Sequence, residues 1–280
     1  MKKGRYVVIG HPIGHTMSPF IHSRLFALAG VDAEYGVLDI APEKLAAEYD
    51  LVLRRLDGYN ITIPHKQAII PLLDKIDSKA SMYGSVNTVL NRDGAAEGFT
   101  TDPDGFLKAL EYAGIPLNRR AVILGCGGVA RTMAYEAVLS GAEAELAVRR
   151  KSLEKAEKLA AEIRSALPNA RISCIDVSEL DGEIDTLING TPVGMSPNTD
   201  AQPVSDAQLS RCANVFDAVY NPLDTVLVKK AKANGANAVG GMSMLVWQAV
   251  VAHRHWNGSS YDVSDIERLC ADAAKELENR

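Results

Sequence analysis

Between residues 121 and 130 the chain reads Ala121-Val122-Ile123-Leu124 and then Gly125-Cys126-Gly127-Gly128-Val129-Ala130, an apolar run leading through a G-x-G-x-x-A turn into a helix-forming segment. Few short segments restrict a fold so strongly, because a strand, a tight glycine turn and a helix in that order open a βαβ unit of a parallel sheet. Gly125 permits the turn, Gly127 lets backbone approach a pyrophosphate, and the small Ala130 allows close contact between helix and strand. The N–H groups at the helix start, Gly128 among them, then face an anion in the direction the helix dipole favours. A glycine turn without a ligand would read the same in isolation. The strand before it and the helix after it favour a dinucleotide cofactor, and Cys126 within the turn reads as a small filler.

Other apolar runs repeat the pattern. Tyr6–Ile9, Tyr35–Leu38, Tyr59–Ile63, Glu145–Val148, Thr186–Ile188 and Val215–Asp217 read as strands, and Phe20–Ala29, Pro42–Leu56, Val129–Ser140, Ser152–Leu167 and Thr225–Asn234 read as helices between them. This alternation predicts an α/β fold. A break near residues 94–105 separates a first block from a second that opens at Ala121, and Met244–Trp256 with Ser264–Leu277 read as two closing helices that pack back on the first block. At roughly 150 residues per domain, 280 residues accommodate two domains.

The net charge of −5 and a pI near 5.7 argue against a dedicated nucleic-acid or membrane-surface binder, so a small-molecule partner is expected. No apolar run approaches a membrane span, and Tyr6–Ile9 is too short for the core of a signal peptide. The four cysteines lie far apart with no C-x-x-C pair, which predicts reduced thiols, no metal site and a cytoplasmic protein.

Where an NAD site carries an acidic residue at the end of its second strand, this chain runs from Glu145–Val148 into Arg149-Arg150-Lys151. Three cations there suit a 2′-phosphate and favour NADP, although a basic triplet can equally be a solvated surface. In the first block, polar side chains gather where strands end. Thr16 and Ser18 follow the first strand, and Ser18 before Pro19 is also a good helix cap. Asn60 and Thr62 share one face of a strand that alternates with Ile61 and Ile63. Lys66 falls in the first turn of the helix that Pro64 begins, where a cation opposes the dipole. Asn87 supplies a further amide, and Asp102 at a strand–helix junction is either a cap or an acid. Together they suit a polyol ligand.

These residues carry a resemblance. Gly10–Pro19, Asn60–Lys66, Gly84–Thr88, Thr101-Asp102, Gly125–Ala130, Asn189–Met195, Asp217–Pro222 and Met244–Gln248, in this order, resemble the shikimate dehydrogenase family. The resemblance implies NADP-dependent, reversible reduction of 3-dehydroshikimate to shikimate on the route to chorismate and the aromatic amino acids. It implies Lys66 and Asp102 as the catalytic pair, Thr16, Ser18 and Tyr220 at the substrate carboxylate, and Asn60, Thr62, Asn87 and Gln248 at ring hydroxyls. On the cofactor side it implies Gly125, Gly127, Gly128 and Ala130 at the pyrophosphate, Arg149, Arg150 and Lys151 at the 2′-phosphate, and Thr191, Met195 and Gly241 around the nicotinamide.

The resemblance also implies a substrate-binding catalytic domain of residues 1–103 completed by 242–280, a Rossmann-type doubly wound domain of residues 104–241 that binds NADP, and a monomer or homodimer. The chain has Thr16 where the family pattern opens Ser-x-Ser, and Arg149-Arg150-Lys151 in place of the common Asn-Arg-Thr. Two other functions stay open on the residues alone: a quinate or quinate/shikimate dehydrogenase using NAD or both cofactors, and a non-catalytic NADP-binding sensor.

Overall fold

The computed structural model describes residues 3–14 and 16–280; Met1, Lys2 and His15, the last within the Gly10–Pro19 motif, lie outside the described residues. Two units are present: unit 1 is the chain up to Gly105 together with Val246–Arg280, and unit 2 is Phe106–Leu245.

In unit 1, β1 (Gly4–Gly10), β2 (Ala33–Asp39), β3 (Gly58–Ile61), β4 (Lys75–Ile76), β5 (Thr88–Arg92) and β6 (Ala95–Phe99) form one sheet in the order β2-β1-β3-β5-β6-β4. Its helices are α1 (Ser18–Leu28), α2 (Leu45–Leu51), α3 (His65–Ala68) and α4 (Ser78–Tyr83), with α5 (Asp102–Ala113) leaving the unit. β1 is parallel to β2 and β3, whereas β5 runs antiparallel to both β3 and β6. The sheet is therefore mixed.

The reversal is made by Asp93-Gly94, both at positive φ (53° and 81°), as a two-residue hairpin between strands twisted the usual way requires. Because β5 runs backwards, its first residue lies beside the last residues of its neighbours: Thr88 pairs with Asn60 on one side and Phe99 on the other. That single reversal collects the polar residues described below.

The segment Pro42–Leu56, expected as one helix, is broken into a 3-10 turn at Pro42–Lys44, α2, and a second 3-10 turn at Leu53–Arg55. Val52 leaves the helical region at φ −124°, and the break lets Leu53 join Tyr49 and Leu45 in the core. The strand expected over Tyr59–Ile63 ends at Ile61, so its alternation stops there and Ile63 is 70% exposed.

Both faces of β1 are buried, which is why it reads as a continuous apolar run. Val7 and Ile9 face Leu53, Tyr59 and Val89, while Tyr6 faces Phe26, Ala252 and Trp256. The last two belong to α10 (Met242–Asn257), which with α11 (Val263–Glu278) closes the chain. Gly58 makes room for that docking, since a Cβ there would sit 2.6 Å from Trp256 Nε1, whose N–H donates to the Val89 carbonyl at 2.9 Å.

Unit 2 holds β7 (Arg120–Leu124), β8 (Glu143–Val148), β9 (Ile172–Asp176), β10 (Ile184–Asn189), β11 (Cys212–Asp217) and β12 (Asn237–Val239) in the order β12-β11-β10-β7-β8-β9, parallel throughout. Counted from its own first strand this is the doubly wound dinucleotide-binding order, with the direction of winding changing between β7 and β10. Its helices are α6 (Gly128–Leu139), α7 (Leu153–Ala166), α8 (Asp206–Leu209) and α9 (Val226–Ala233). In α7 the buried residues Ala156, Leu159, Ala160 and Ile163 recur at the spacing of one helix face. Among the described residues no helix is long and apolar enough to cross a membrane, no acidic, His or Cys cluster could hold a metal ion, and all four cysteines are free thiols.

Candidate active site

In unit 1 the ends of β3 and β6 and the start of β5 bring Asn60, Asn87, Thr101 and Asp102 together, and the turn after β3 delivers Lys66 on α3. Lys66 Nζ donates to Asp102 Oδ2 at 2.5 Å, with both side chains mostly buried (19% and 13% exposed). The other carboxylate oxygen accepts from Asn87 Nδ2 at 2.8 Å. Asp102 is the first residue of α5, and its two carboxylate oxygens accept from Lys66 and Asn87.

Counting donors shows what these amides have left to offer. Both hydrogens of Asn87 Nδ2 are spent, on Asp102 and on Thr101 Oγ1 at 3.0 Å, while its oxygen accepts from the Thr101 N–H at 2.8 Å and the Thr88 hydroxyl at 3.2 Å. Asn60 Nδ2 spends its hydrogens on the Asn87 carbonyl at 3.2 Å and Thr88 Oγ1 at 3.0 Å, and its Oδ1 accepts from the Tyr35 hydroxyl at 2.6 Å. Asn87 is committed to holding Asp102, and Asn60 keeps one oxygen lone pair. Gln248, on α10, joins the group by accepting from Thr101 Oγ1 at 3.4 Å.

Ser18 is not the cap of α1. It is the first residue of that helix, the capping position falls on Met17 with no side-chain bond, and the Ser18 N–H instead donates to Thr16 Oγ1 at 3.1 Å. The two hydroxyls of Thr16 and Ser18 lie 3.1 Å apart. Thr62 follows β3, half-buried, with its methyl group against Gly10, where a Cβ would come within 2.6 Å of it. Tyr35, Thr88 and Thr101 were not expected at the site. Thr88 and Thr101 lie inside motifs already noted, whereas Tyr35 sits in a plain strand pattern and carries no local signal.

In unit 2 the Gly125–Ala130 turn leaves β7. Gly125 has φ +100°, and a Cβ there would meet the Thr191 methyl group at 2.9 Å, so glycine is required twice over. Ala130 is fully buried against Gly190, where an added Cβ would lie 2.8 Å from the Ala130 Cα. At Gly127 and Gly128, by contrast, an added Cβ would meet nothing within 4 Å. Gly127 is the cap position of α6 and brings no side-chain bond, so the first N–H groups of the helix have no side-chain cap. An uncapped helix start beneath bare backbone fits a pyrophosphate.

Arg149, Arg150 and Lys151 follow β8, all exposed. Arg150 is engaged by Asp176 at 3.2 Å and Glu179 at 2.5 Å, and its positive charge helps hold the Asp176 carboxyl below the usual range, after the larger effect of the Ser178 hydrogen bonds. Arg149 and Lys151 have no ion-pair partner among the described residues. The three cations are thus unequal.

Asp217 organises the far end of the unit. Fully buried at the end of β11, it accepts from Asn189 Nδ2 at 2.9 Å, the Val219 N–H at 3.0 Å and Thr225 Oγ1 at 2.7 Å, and burial pushes its carboxyl up to about 6. Asn189 in turn accepts from the Thr191 N–H and hydroxyl. Met195 is 44% exposed, Tyr220 follows β11 within this unit, and Gly241 lies against the Ala218 carbonyl, which an added Cβ would approach to 2.3 Å.

Comparison with known proteins adds a family. The profile described as the shikimate dehydrogenase substrate binding domain matches residues 8–89. A shikimate dehydrogenase (NADP(+)) of Geobacillus kaustophilus is 37% identical over 273 residues, covering 96% of this chain and 98% of the relative. The structure of shikimate 5-dehydrogenase from Thermus thermophilus in complex with NADP(H) and shikimate superposes with a TM-score of 0.87 at 33% identity, over 96% of this chain and 99% of that one. Quinate dehydrogenase from Corynebacterium glutamicum in complex with NAD gives a TM-score of 0.86 at 29% identity, over 96% and 99%. With identity at this level over nearly its whole length, the chain belongs to the shikimate dehydrogenase family.

Proposed function

We propose that this protein is an NADP-dependent shikimate dehydrogenase, reducing 3-dehydroshikimate reversibly to shikimate, with unit 1 (residues 1–103 and 242–280 by the sequence boundaries) holding the substrate and unit 2 (104–241) the cofactor. The observation that carries this reading is the Lys66–Asp102 pair at 2.5 Å, mostly buried among hydroxyl and amide groups. Reduction of a ring ketone builds negative charge on its oxygen, and an ammonium group beside it stabilises that charge and delivers the proton. Lys66 is that acid. In the opposite direction its neutral amine takes the hydroxyl proton. Asp102 fixes the position of Lys66 Nζ, and Asn87 fixes Asp102.

Thr16 and Ser18 offer two adjacent hydroxyls to the substrate carboxylate, while Asn60 offers the remaining lone pair of Oδ1 and Thr62 and Gln248 their polar groups to ring hydroxyls. When bound, NADPH supplies the reducing equivalents. Gly125, Gly127, Gly128 and Ala130 would hold its pyrophosphate, and Thr191, Met195 and Gly241 would surround its nicotinamide. Arg149 and Lys151 would take the 2′-phosphate, with Arg150 in a lesser part because its guanidinium already has two carboxylate partners.

The test is the initial rate of NADPH oxidation with 3-dehydroshikimate, beside NADH and, in reverse, quinate. Preference for quinate and NAD would replace this reading with that of a quinate dehydrogenase, and inactivity on both rings with that of a sensor. Arg149→Ala should raise the KM for NADPH about 10-fold, the scale of a lost hydrogen bond to a charged group. Arg150→Ala should raise it less, and neither should alter the KM for NADH. Equal losses with both cofactors would move the 2′-phosphate site elsewhere.

A further inference from the structure

We propose that Tyr35, which lies outside every motif above, is a positioning residue for the substrate, holding the amide of Asn60 through its own hydroxyl; this rests on the reading of Asn60 as a substrate contact. Tyr35 lies on β2, the edge strand, and its parallel register places it opposite Tyr6 on β1. Its ring lies flat on the buried His22, with centroids 4.2 Å apart and planes 2° from parallel. From there the hydroxyl spans β1 to reach Asn60 on β3 at 2.6 Å.

The directions of these bonds follow from counting protons. Both amide hydrogens of Asn60 are used on Asn87 and Thr88, so its carbonyl side faces Tyr35 and the phenol must donate. Burial pushes the phenol well above its usual range, which keeps that proton in place. Tyr35 donates to Asn60, Asn60 to Thr88, Thr88 to Asn87, and Asn87 to Asp102. Tyr35 is the link that joins the edge strand to the amides beside Lys66. Without its hydroxyl the Asn60 Oδ1 has no internal donor and the amide is held by its two Nδ2 bonds alone, so the acceptor presented to a ring hydroxyl is less firmly placed.

The experiment is steady-state kinetics of Tyr35→Phe, which retains the stacked ring. The KM for shikimate should rise about 10-fold, the scale of one buried neutral hydrogen bond, with kcat and the KM for NADP unchanged and Tm within about 2 °C of the parent. In an Asn60→Ala background the same substitution should raise that KM by less than about 3-fold, because the group it acts through is gone. An unchanged KM in Tyr35→Phe, or a full rise of about 10-fold without Asn60, overturns the proposal while leaving the dehydrogenase reading intact. A parent enzyme that does not turn over shikimate overturns both.

Discussion

Lys66→Met is expected to lower kcat for shikimate oxidation by roughly 10²–10⁴-fold, the range for loss of a general acid–base group, with a much smaller change in the KM for shikimate. The substitution keeps most of the apolar stem packed while removing the ammonium group. Asp102 loses its cation but retains the Asn87 bond at 2.8 Å, so the local backbone has reason to stay in place. Asp102→Asn tests the same unit from the other side: turnover should fall because Lys66 is no longer held by a carboxylate. The measurements are kcat, KM and Tm for each variant. Normal turnover in Lys66→Met would remove the lysine from the chemistry, and a loss confined to Tm would make the pair a structural clamp.

Acid should act on the two units in opposite senses. In unit 1, His22 and His253 are fully buried and bonded to each other, His22 Nδ1 to His253 Nε2 at 3.0 Å, with the Tyr261 hydroxyl at 2.8 Å from His253 Nδ1. Their surroundings are Phe26, Tyr35 and Trp256, with no carboxylate to welcome a proton. Burial holds His253 down at about 3 and His22 well below its usual value, the latter also through its neighbour.

A group whose folded pKa is depressed binds its proton more readily in the unfolded chain, so stability is complete above about 6.5 and falls as pH drops from there towards 3. By about pH 4.5 the loss from His253 alone should be about 3 kcal/mol. Asp217 in unit 2 does the reverse. Its folded value near 6 lies above the ordinary carboxylate value of 3.8, so the native state holds the proton more tightly and unit 2 gains about 2 kcal/mol between about pH 7 and 4.5.

Both tryptophans, Trp247 and Trp256, lie in unit 1, so fluorescence-detected denaturation follows that unit and circular dichroism follows both. The fluorescence midpoint should fall on acidification and the two probes should separate. His253→Gln should flatten the fluorescence response. An equally steep response in that variant would assign the acid sensitivity of unit 1 to groups other than His253.

What the sequence disclosed, and what it withheld, depended on whether the cause of a feature was local. The Gly125–Ala130 turn carries its own explanation in a positive φ and a close approach, and both are met. The apolar runs at the sheet centres are legible because both faces of such strands are buried. The hairpin of β5 and β6 was missed although Asp93-Gly94 is a strong turn signal, because Ala95-Ala96-Glu97-Gly98 has little strand character of its own and is held by its neighbours. That omission concealed why Asn87 and Asp102 meet.

Ser18 before Pro19 has the composition of a cap, yet the bond that ties down its backbone comes from Thr16 two residues earlier. The different surroundings of Arg149, Arg150 and Lys151 could not be read from local sequence, since Asp176 and Glu179 approach Arg150 from a separate strand end. Tyr35 shows the same limit at the site itself: its bond to Asn60 joins the outer strand to one two strands away.

The division of the chain has a consequence for its manufacture. A ribosome that has just added Leu245 has synthesised every residue of unit 2 in one uninterrupted stretch, and domains fold as units while synthesis proceeds. The first 105 residues at that moment still lack α11 and the part of α10 beyond Leu245. Tyr6 and Phe26 await Trp256, and the carbonyl of Val89 awaits an indole N–H that has yet to be made. Unit 1 thus gains its last packing partners only after unit 2 has been made.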